Sequence, residues 1–562
     1  MAKLGIALDL GTSGFRGQAI DLEQNGMIYS TAVTTRHPLP GANVMDHLHF
    51  AIEIGIDRAH DVMIHAVNKV IGRLDIETDE VVRLAVCGNP IQLSLFQEIE
   101  IRDLAYAGKN KLESLGVVAP KRDAQIIKAC EISGLNLPPD ADILIPPAVR
   151  HEIGADALAM MIQTGMLEKN EISIATDYGT NAEMALIVNG TVYTGSTAAG
   201  PALEGQHIED GILALPGAVC DVECVPKNSK YPEESNDPGE NQPLNKIMKT
   251  FVLNNDMKVL PGDTVDPASG NLLEKGVQKA VGITGTGVLA LISQGLEAGL
   301  IRLPKIVTLD AKIHLADGIK FTEKDLEEAG KAIGAIRAGH ISLCHEAGIN
   351  LDDIETGYMC GASGTYVDAL KAQKIGMIPK GVNKIYQVGN SSLAMAGDMV
   401  RNVDELWRMK RIASDLRQHH CMFADSKIFE KVYVLELSYW TEGMSMDQYH
   451  NFLRKFKLPP IKETAVVSKV IKTVKQDIPE LGIRGLSIIS DIGEQKTIIF
   501  EDCIGCNACV EECPENALYI KEEEEDCFSI TMDLALCNGL ACGRCEKICQ
   551  EKVFVQKRFY SD

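Results

Sequence analysis

The sequence has no long apolar run, and its basic residues are outnumbered by acidic ones. The best candidate for a membrane span, residues 280–292, is rich in glycine and threonine and falls short of the roughly 18 residues that cross a bilayer. The N-terminus reaches a carboxylate, Asp9, after a few apolar residues, unlike a secretory signal or a membrane anchor. With 55 Lys and Arg against 78 Asp and Glu, the net charge of −23 argues against a protein that coats nucleic acid or acidic membranes. We therefore expect a cytoplasmic protein with no membrane or nucleic-acid partner.

The length and the cysteine pattern exclude a small disulfide-linked protein. A chain of 562 residues, 45% of them hydrophobic, is long enough for three or four domains with their own cores. In a reducing compartment, cysteines serve first as metal ligands or as buried thiols. Nine of the 16 cysteines lie within residues 503–549, and eight of those nine form two regular runs. This C-terminal segment is therefore the first candidate for a metal centre.

Two segments of the chain share one order of predicted elements. In the first, we predict strands over 4–10, 16–21, 27–34 and 82–87, and helices over 46–71, 90–97 and 122–132. In the second, we predict strands over 171–176, 182–189 and 191–194, followed by helices. The best-marked of these helices begins at Thr322, where Thr322 and Asp325 fit a capping box. The shared order predicts an internal duplication.

Each segment carries a polar turn after its first strand. The first turn follows Asp9 and contains Gly11, Thr12, Ser13 and Arg16. The second turn follows Asp177 and contains Gly179, Thr180 and Asn181. Glycines let backbone N–H groups approach a polyphosphate, hydroxyls donate to it, and a carboxylate can hold Mg²⁺ or orient water. The two turns are together suited to bind a nucleoside triphosphate.

A third turn contains Gly361, Ala362 and Gly364 and lies between a short strand and a helix, where glycines allow an adenosine to pack closely on the backbone. One such turn alone is usually only a turn, but three in this order favour nucleotide binding. In these motifs the chain resembles the acetate and sugar kinase, Hsc70 and actin superfamily over residues 1–400. The resemblance implies an α/β fold with two ribonuclease-H-like lobes, over 1–170 and 171–400, and bound ATP and Mg²⁺.

The C-terminal cysteines have the spacing of a bacterial ferredoxin. The first run is Cys503, Cys506, Cys509 and Cys513, followed by proline, and the second is Cys537, Cys542, Cys545 and Cys549, with a longer first gap. In such runs three cysteines bind one [4Fe–4S] cluster and the fourth binds the other, which assigns Cys549 to the first cluster and Cys513 to the second. Zinc sites are the alternative, disfavoured because three cysteines at successive i+3 steps are hard to use tetrahedrally. We expect a small α+β ferredoxin-like domain with two [4Fe–4S] clusters over 496–562.

An ATP-binding core joined to a two-cluster domain resembles the reductive activators of corrinoid proteins. The stretches 199–205, 375–379 and 388–391 resemble further motifs of that family, and the first of them contains Glu204. The resemblance implies ATP-dependent reduction of inactive cobalt(II) to cobalt(I) in a corrinoid protein, with electrons from a low-potential donor such as a ferredoxin. It also implies that Asp9 and Asp177 position Mg²⁺ and water, and that Glu204 acts as an acid/base or contacts the cleft. The alternative for Glu204 is a surface carboxylate.

The position of the clusters narrows the expected partner. Many family members carry an N-terminal [2Fe–2S] domain, whereas here the clusters are C-terminal, as in the activators that serve methylamine methyltransferases. That likeness implies a role in methylamine:coenzyme M methyl transfer during methanogenesis. The alternatives are another corrinoid system (methoxyaromatic or methanol), an ATP-gated electron-transfer adapter, or a kinase with a redox-sensing tail. Residues 401–495, which include both tryptophans and a basic run, are predicted to form an α/β connector or adapter.

Overall fold

The chain folds into two compact units. The computed structural model describes residues 3–41, 43–106, 109–149, 153–227, 246–416, 418–474, 478–524 and 527–560. The first unit comprises Met1–Ala159, Ser392–Asp415 and Glu480–Asp562, and the second comprises Met160–Ser391 and Leu416–Pro479. Each unit is built around a seven-stranded mixed sheet.

The sheet of the first unit starts from the polar-turn hairpin. Its strands, in spatial order, are Leu486–Ile489, Met27–Thr34, Phe15–Asp21, Leu4–Leu10, Val81–Gly88, Asp142–Ile145 and Gln125–Lys128. Leu4–Leu10 is buried along its whole length, as expected for a central strand that is covered on both faces. It pairs antiparallel with Phe15–Asp21 and parallel with Val81–Gly88. The helix predicted over 122–132 is wrong, because Gln125–Lys128 pairs antiparallel with Asp142–Ile145 as an edge strand.

One helical stretch predicted in the first unit is divided into two helices. Residues 46–71 form two helices, Val44–Ile54 and Ile56–Gly72, because Gly55 between them has a φ of 134° that ends the first helix. The others are Pro90–Phe96, Arg102–Ala105, Lys109–Ser114, Ala155–Gln163, Asp404–Asp415, Ala508–Glu511 and Arg544–Ile548. Ser391–Arg401 also lies almost entirely in this unit.

The main sheet of the second unit repeats the strand order of the first. Its strands, in spatial order, are Gln418–His420, Thr191–Ala198, Asn181–Val188, Ser173–Tyr178, Thr356–Cys360, Lys384–Gly389 and Lys469–Lys472. As in the first unit, three consecutive strands pair antiparallel, and the first of them, here Ser173–Tyr178, then pairs parallel with the next strand of the sheet, Thr356–Cys360. The predicted two-lobe α/β fold and its duplication are thus confirmed.

The second unit carries an additional sheet and several helices. The additional sheet contains, in spatial order, Leu272–Glu274, Val259–Val265, Lys246–Leu253, Ala218–Pro226 and Gly282–Ile283. Two short hairpins pair Ile301–Arg302 with Lys305–Ile306 and Lys312–His314 with Lys320–Thr322. The helices are Gly285–Ala298, Glu323–Ala347, Gly361–Tyr366, Ala369–Ile375, Lys427–Thr441 and Met446–Lys455.

The helix Glu323–Ala347 forms the centre of the second unit's core. Its predicted capping box is present, since the Thr322 hydroxyl accepts from the Asp325 N–H and the Asp325 carboxylate accepts from the Thr322 N–H. Gly330 on this helix faces the buried Trp440 of Lys427–Thr441, where a Cβ would lie 2.9 Å from the Trp440 side chain. The small residue therefore allows the two helices to pack closely.

The segment 401–495, predicted as a connector or adapter, is divided between the two units. Gln418–His420 and Lys469–Lys472 add edge strands to the sheet of the second unit, whereas Leu486–Ile489 adds one to the first. These pairings join strands that are far apart in sequence. The described strands of this segment therefore extend both sheets.

The cysteine-rich domain belongs to the first unit and has a three-stranded antiparallel sheet of Gln495–Phe500, Cys527–Asp533 and Leu518–Glu524, with Cys527–Asp533 in the middle. Residues 226–243, whose polar sequence rich in Pro, Asn, Glu and Ser predicts a surface excursion, lie mostly outside the described residues. Among the helices of the described ranges, none is both long and apolar enough to be a membrane span.

Candidate functional site

The first polar turn places a buried carboxylate beside a cation. Asp9 is only 4% exposed near the end of Leu4–Leu10, and its carboxylate lies 3.5 Å from the Arg16 guanidinium on the next strand. Thr12 accepts a hydrogen bond of 3.2 Å from the Asn89 side-chain amide. Ser13 lies in the same turn, and a Cβ at Gly11 would lie 2.9 Å from the Gly14 carbonyl oxygen. The turn is thus tight, with polar groups of the types that bind phosphate or Mg²⁺.

A second carboxylate near Asp9 was missed by the sequence analysis. Asp156 lies in the first turn of Ala155–Gln163 and is partly buried. Its burial, and then the nearby charge of Asp9, raise its pKa to about 6, although the Ala157 N–H donates to it at 2.8 Å. Burial, and then the charges of the same two carboxylates, raise the pKa of the Cys87 thiol. Asp156 therefore changes charge near neutral pH beside the first polar turn.

A buried polar network lies behind this turn. The Asn89 side chain caps Pro90–Phe96 by accepting from the Gln92 N–H at 3.0 Å, and the Gln92 side chain contacts His37 at 3.1 Å and His47 at 2.8 Å. The two imidazoles stack at 3.9 Å. Burial lowers the pKa of His37 and lowers that of His47 to about 3, so both rings are neutral at physiological pH. Neutral rings can both donate and accept, which the network requires.

The second polar turn brings Thr180 and Glu204 together. The Thr180 N–H donates to the Glu204 carboxylate at 3.2 Å, and the Thr180 hydroxyl also bonds to it. The Gly200 N–H donates to the Thr180 carbonyl oxygen at 3.0 Å. Glu204 is thus a neighbour of the turn formed by Asp177, Gly179, Thr180 and Asn181, where a solvent-exposed carboxylate was the alternative.

The third turn lies against the second within the same unit. Cys360 pairs with Asp177 across parallel strands, and Gly361 follows with a φ of 78°, the left-handed region that favours glycine. A Cβ at Gly361 would overlap the Asp177 carboxylate. Ala362 and Gly364 continue into the helix Gly361–Tyr366, and a Cβ at Gly364 would lie 2.9 Å from the Met359 backbone. Glycine at position 361 therefore allows the third turn to lie against Asp177 of the second, and glycine at 364 allows the helix to pack on the strand before it.

The cysteine runs come together in two groups. Electrostatic interactions link the Cys509 thiol with Cys503 and Cys506. They also link Cys545 with Cys513, Cys537 and Cys542, a group that takes its fourth member from the other run. The Ala517 N–H donates to the Cys513 sulfur at 3.3 Å. Cys549 follows the helix Arg544–Ile548. The mixed membership of the second group matches the exchanged fourth ligand of a two-cluster ferredoxin.

The cysteine-rich domain packs on the core of the first unit. The Gly41 N–H donates to the Cys537 carbonyl oxygen at 2.8 Å, and the Phe50 and Tyr560 rings meet edge to face at 5.2 Å. Arg58 pairs with Glu494.

Among the described side chains, no three of His, Cys, Asp or Glu are grouped to hold a single metal ion. In nucleotide sites Mg²⁺ is held by one or two carboxylates with phosphates and water.

Comparison with known proteins identifies the family. Residues 4–169 match the RACo middle region, residues 171–450 match the C-terminal domain of RACo, the ASKHA domain, and residues 502–553 match a 4Fe-4S dicluster domain. The [Co(II) methylated amine-specific corrinoid protein] reductase of Methanosarcina barkeri is 48% identical over 521 residues, 92% of each chain. The chain belongs to the RACo family of corrinoid reductive activators. Its iron–sulfur domain is therefore a dicluster domain of the 4Fe-4S type.

Two further proteins are similar to the chain at lower sequence identity. The corrinoid activation enzyme RamQ of Eubacterium limosum is 26% identical over 388 residues, 67% of this chain and 60% of that protein. A solved structure of a reductive activator for corrinoid, iron-sulfur protein superposes with a TM-score of 0.61 at 22% identity, over 79% of this chain and 68% of that one. This superposition supports the fold described above.

Proposed function

We propose that the protein couples ATP hydrolysis to one-electron reduction of cobalt(II) to cobalt(I) in a corrinoid protein. The observation that carries the proposal is the 48% identity, over 92% of both chains, to a reductase that its name assigns to the Co(II) methylated amine-specific corrinoid protein. We therefore assign a corrinoid partner of the methylamine type. The match of a 4Fe-4S dicluster domain to residues 502–553 supports an electron route.

The polar turns supply the groups for nucleotide chemistry. Asp9 and Asp177 would hold Mg²⁺ and orient water, and the Thr12 hydroxyl donates to a phosphate oxygen. The Thr180 hydroxyl donates to Glu204 and contacts a phosphate oxygen by exchanging that hydrogen bond, so Glu204 holds Thr180 in place beside the phosphates. Asp156 is ionised above a pH of about 6 and then accepts a proton from the attacking water. Mg²⁺, when bound, neutralises charge on the phosphates.

Ser13, Arg16, Gly11, Gly179 and Asn181 complete the phosphate contacts of the two turns, and Gly361, Ala362 and Gly364 accept the adenosine. Arg16 is suited to a phosphate oxygen because its guanidinium is always charged. The eight run cysteines bind two [4Fe–4S] clusters in the assignment given above. These clusters supply single-electron transfer.

The electron balance sets what ATP contributes. One electron enters from a low-potential donor such as a ferredoxin, and one electron leaves to convert cobalt(II) to cobalt(I). Each 59 mV by which the cobalt potential lies below that of the donor makes the equilibrium constant for this one-electron transfer ten times less favourable. ATP hydrolysis is proposed to overcome this factor by favouring one conformational state of the protein.

The experiment uses the full chain under anaerobic conditions. The protein, a strong reductant and a methylamine-type cobalt(II) corrinoid protein are mixed with or without Mg-ATP, and cobalt(I) absorbance is recorded. We expect cobalt(I) only with ATP, no cobalt(I) with Asp177→Ala, and wild-type behaviour with Asp256→Ala, an exposed carboxylate 69% accessible. Equal cobalt(I) without ATP would contradict the coupling. Activity only with a methanol-type or methoxyaromatic-type corrinoid protein would contradict the partner.

A further inference from the structure

A tyrosine and a glutamine contact the sulfur of one predicted cluster ligand. The Tyr560 hydroxyl lies 3.1 Å from the Cys537 Sγ, and the Gln556 amide donates to the same sulfur at 3.3 Å. All three side chains are buried. The sulfur of a cysteine bound to iron is a thiolate and carries no proton, so it can only accept.

The geometry fixes the direction of these hydrogen bonds. The Gln556 amide nitrogen, which only donates, lies 2.8 Å from the Tyr560 oxygen, 3.0 Å from the Gly539 carbonyl oxygen and 3.3 Å from the Cys537 sulfur, so its two hydrogens are shared among three acceptors. The Tyr560 oxygen therefore accepts from Gln556 and has its own proton left for Cys537. Each donor in the chain thus increases the polarity of the next.

The position of Tyr560 is set by the core of the first unit. Arg58 donates to the Tyr560 carbonyl oxygen at 3.1 Å and pairs with Glu494, and the Phe50 ring packs edge to face on the Tyr560 ring. Arg58 therefore holds the Tyr560 backbone, and Phe50 holds its ring. A hydroxyl held in this way pays little entropy to keep its hydrogen bond.

We propose that Tyr560, supported by Gln556, raises the reduction potential of the cluster bound by Cys537. A hydrogen bond to a ligand sulfur withdraws negative charge from it, which favours the reduced, more negative state of the cluster. Tyr560 and Gln556 act on the cluster through the Cys537 sulfur and bind no iron themselves. The inference rests on the proposed function only for the presence of that cluster, because neither ATP nor the corrinoid partner enters it.

The test measures potentials and leaves corrinoid reduction out. Tyr560→Phe and Gln556→Leu are made in the full chain, the clusters are reconstituted anaerobically, and each cluster is titrated redox-potentiometrically with electron paramagnetic resonance as the readout. We expect one of the two clusters to shift to a lower potential in both variants. For Tyr560→Phe the expected change in the oxidised-to-reduced ratio is at least threefold, which corresponds to about 30 mV. Tyr519→Phe, an exposed tyrosine of the same domain, is the control and should shift neither cluster.

Each outcome decides the inference separately from the proposed function. Unchanged potentials in variants that keep both clusters overturn it. Loss of the second cluster from both variants also overturns it, because a tuning residue is not needed to retain the cluster. A shifted potential in a protein that never produces cobalt(I) would support the inference and contradict the proposed function.

Discussion

Asp9 and Asp156, the two carboxylates beside the first polar turn, lead us to predict a pH range over which the rate of ATP hydrolysis changes. Asp156→Asn removes the group whose pKa is raised to about 6 by burial and by Asp9. If ionised Asp156 accepts the proton from water, ATP hydrolysis should rise between pH 5 and pH 7, since the ionised fraction rises from about one tenth to about nine tenths, roughly ninefold. The variant should be slower at pH 7 and should lack this rise.

The same shift predicts an opposite effect on stability. The folded protein holds a proton on Asp156 that the unfolded chain releases above a pH of about 4, so this contribution to stability is lost as the pH rises to about 6. At pH 7 the ionised group therefore destabilises the fold, by at most about 3 kcal/mol before its partial exposure is considered. Asp156→Asn should raise the Tm of the protein at pH 7 and leave it nearly unchanged at pH 4.

Phosphate release from pH 5 to pH 8 and thermal unfolding at the two pH values check both effects. Asp142→Asn is the control, because Asp142 is on the same sheet as Asp9 but forms an exposed ion pair with Lys128. A variant that keeps both the wild-type rate and its rise with pH would refute the role of Asp156. A lower Tm at pH 7 would refute the raised pKa.

Three further variants test other parts of the account. Gly361→Ala should lower the rate of ATP hydrolysis at least tenfold, because the added Cβ would overlap the Asp177 carboxylate. Its control is Gly348→Ala, where φ is 70° and the surrounding space is open; this change should cost only about 1 kcal/mol of stability and leave the rate unchanged. Equal rates of hydrolysis in the two variants would contradict this expectation. Cys506→Ala should lose about half of the bound iron and stop cobalt reduction while ATP hydrolysis continues, with exposed Cys130→Ala as the control, and an unchanged iron content would contradict the ligand assignment. Gln92→Leu should lower stability by about 1–3 kcal/mol, measured by thermal unfolding, because two buried imidazoles lose their partners; an unchanged Tm would argue against that network.

Those parts of the fold that depend on residues close together in the sequence could be predicted from it. The strands from Leu4 to Thr34 are marked by apolar runs and turn residues, and the helix after Thr322 is marked by its own cap. The edge strand Gln125–Lys128 was predicted as a helix because its partner, Asp142–Ile145, determines its conformation. Similarly, two strands within 401–495, Gln418–His420 and Leu486–Ile489, pair with residues hundreds of positions away.

The same distinction applies to the candidate site. Glycine turns after strands can be found from local pattern, and so can cysteine runs. Asp156 could not be found in this way, because an acidic residue in the first turn of a helix commonly serves only to stabilise that helix. Its proximity to Asp9 arises from the folding of distant segments. Tyr560 was missed for the same reason, since its contact with the Cys537 sulfur spans 23 residues.

Phosphate release and cobalt(I) formation, recorded in one anaerobic reaction with reduced clusters, show whether nucleotide hydrolysis drives the electron to cobalt. We expect cobalt to remain cobalt(II) until Mg-ATP is added, and the two products then to appear in a fixed ratio. Asp177→Ala should abolish both products together. Cobalt(I) formed at the wild-type rate by that variant, or in the absence of released phosphate, would show that hydrolysis does not drive the electron.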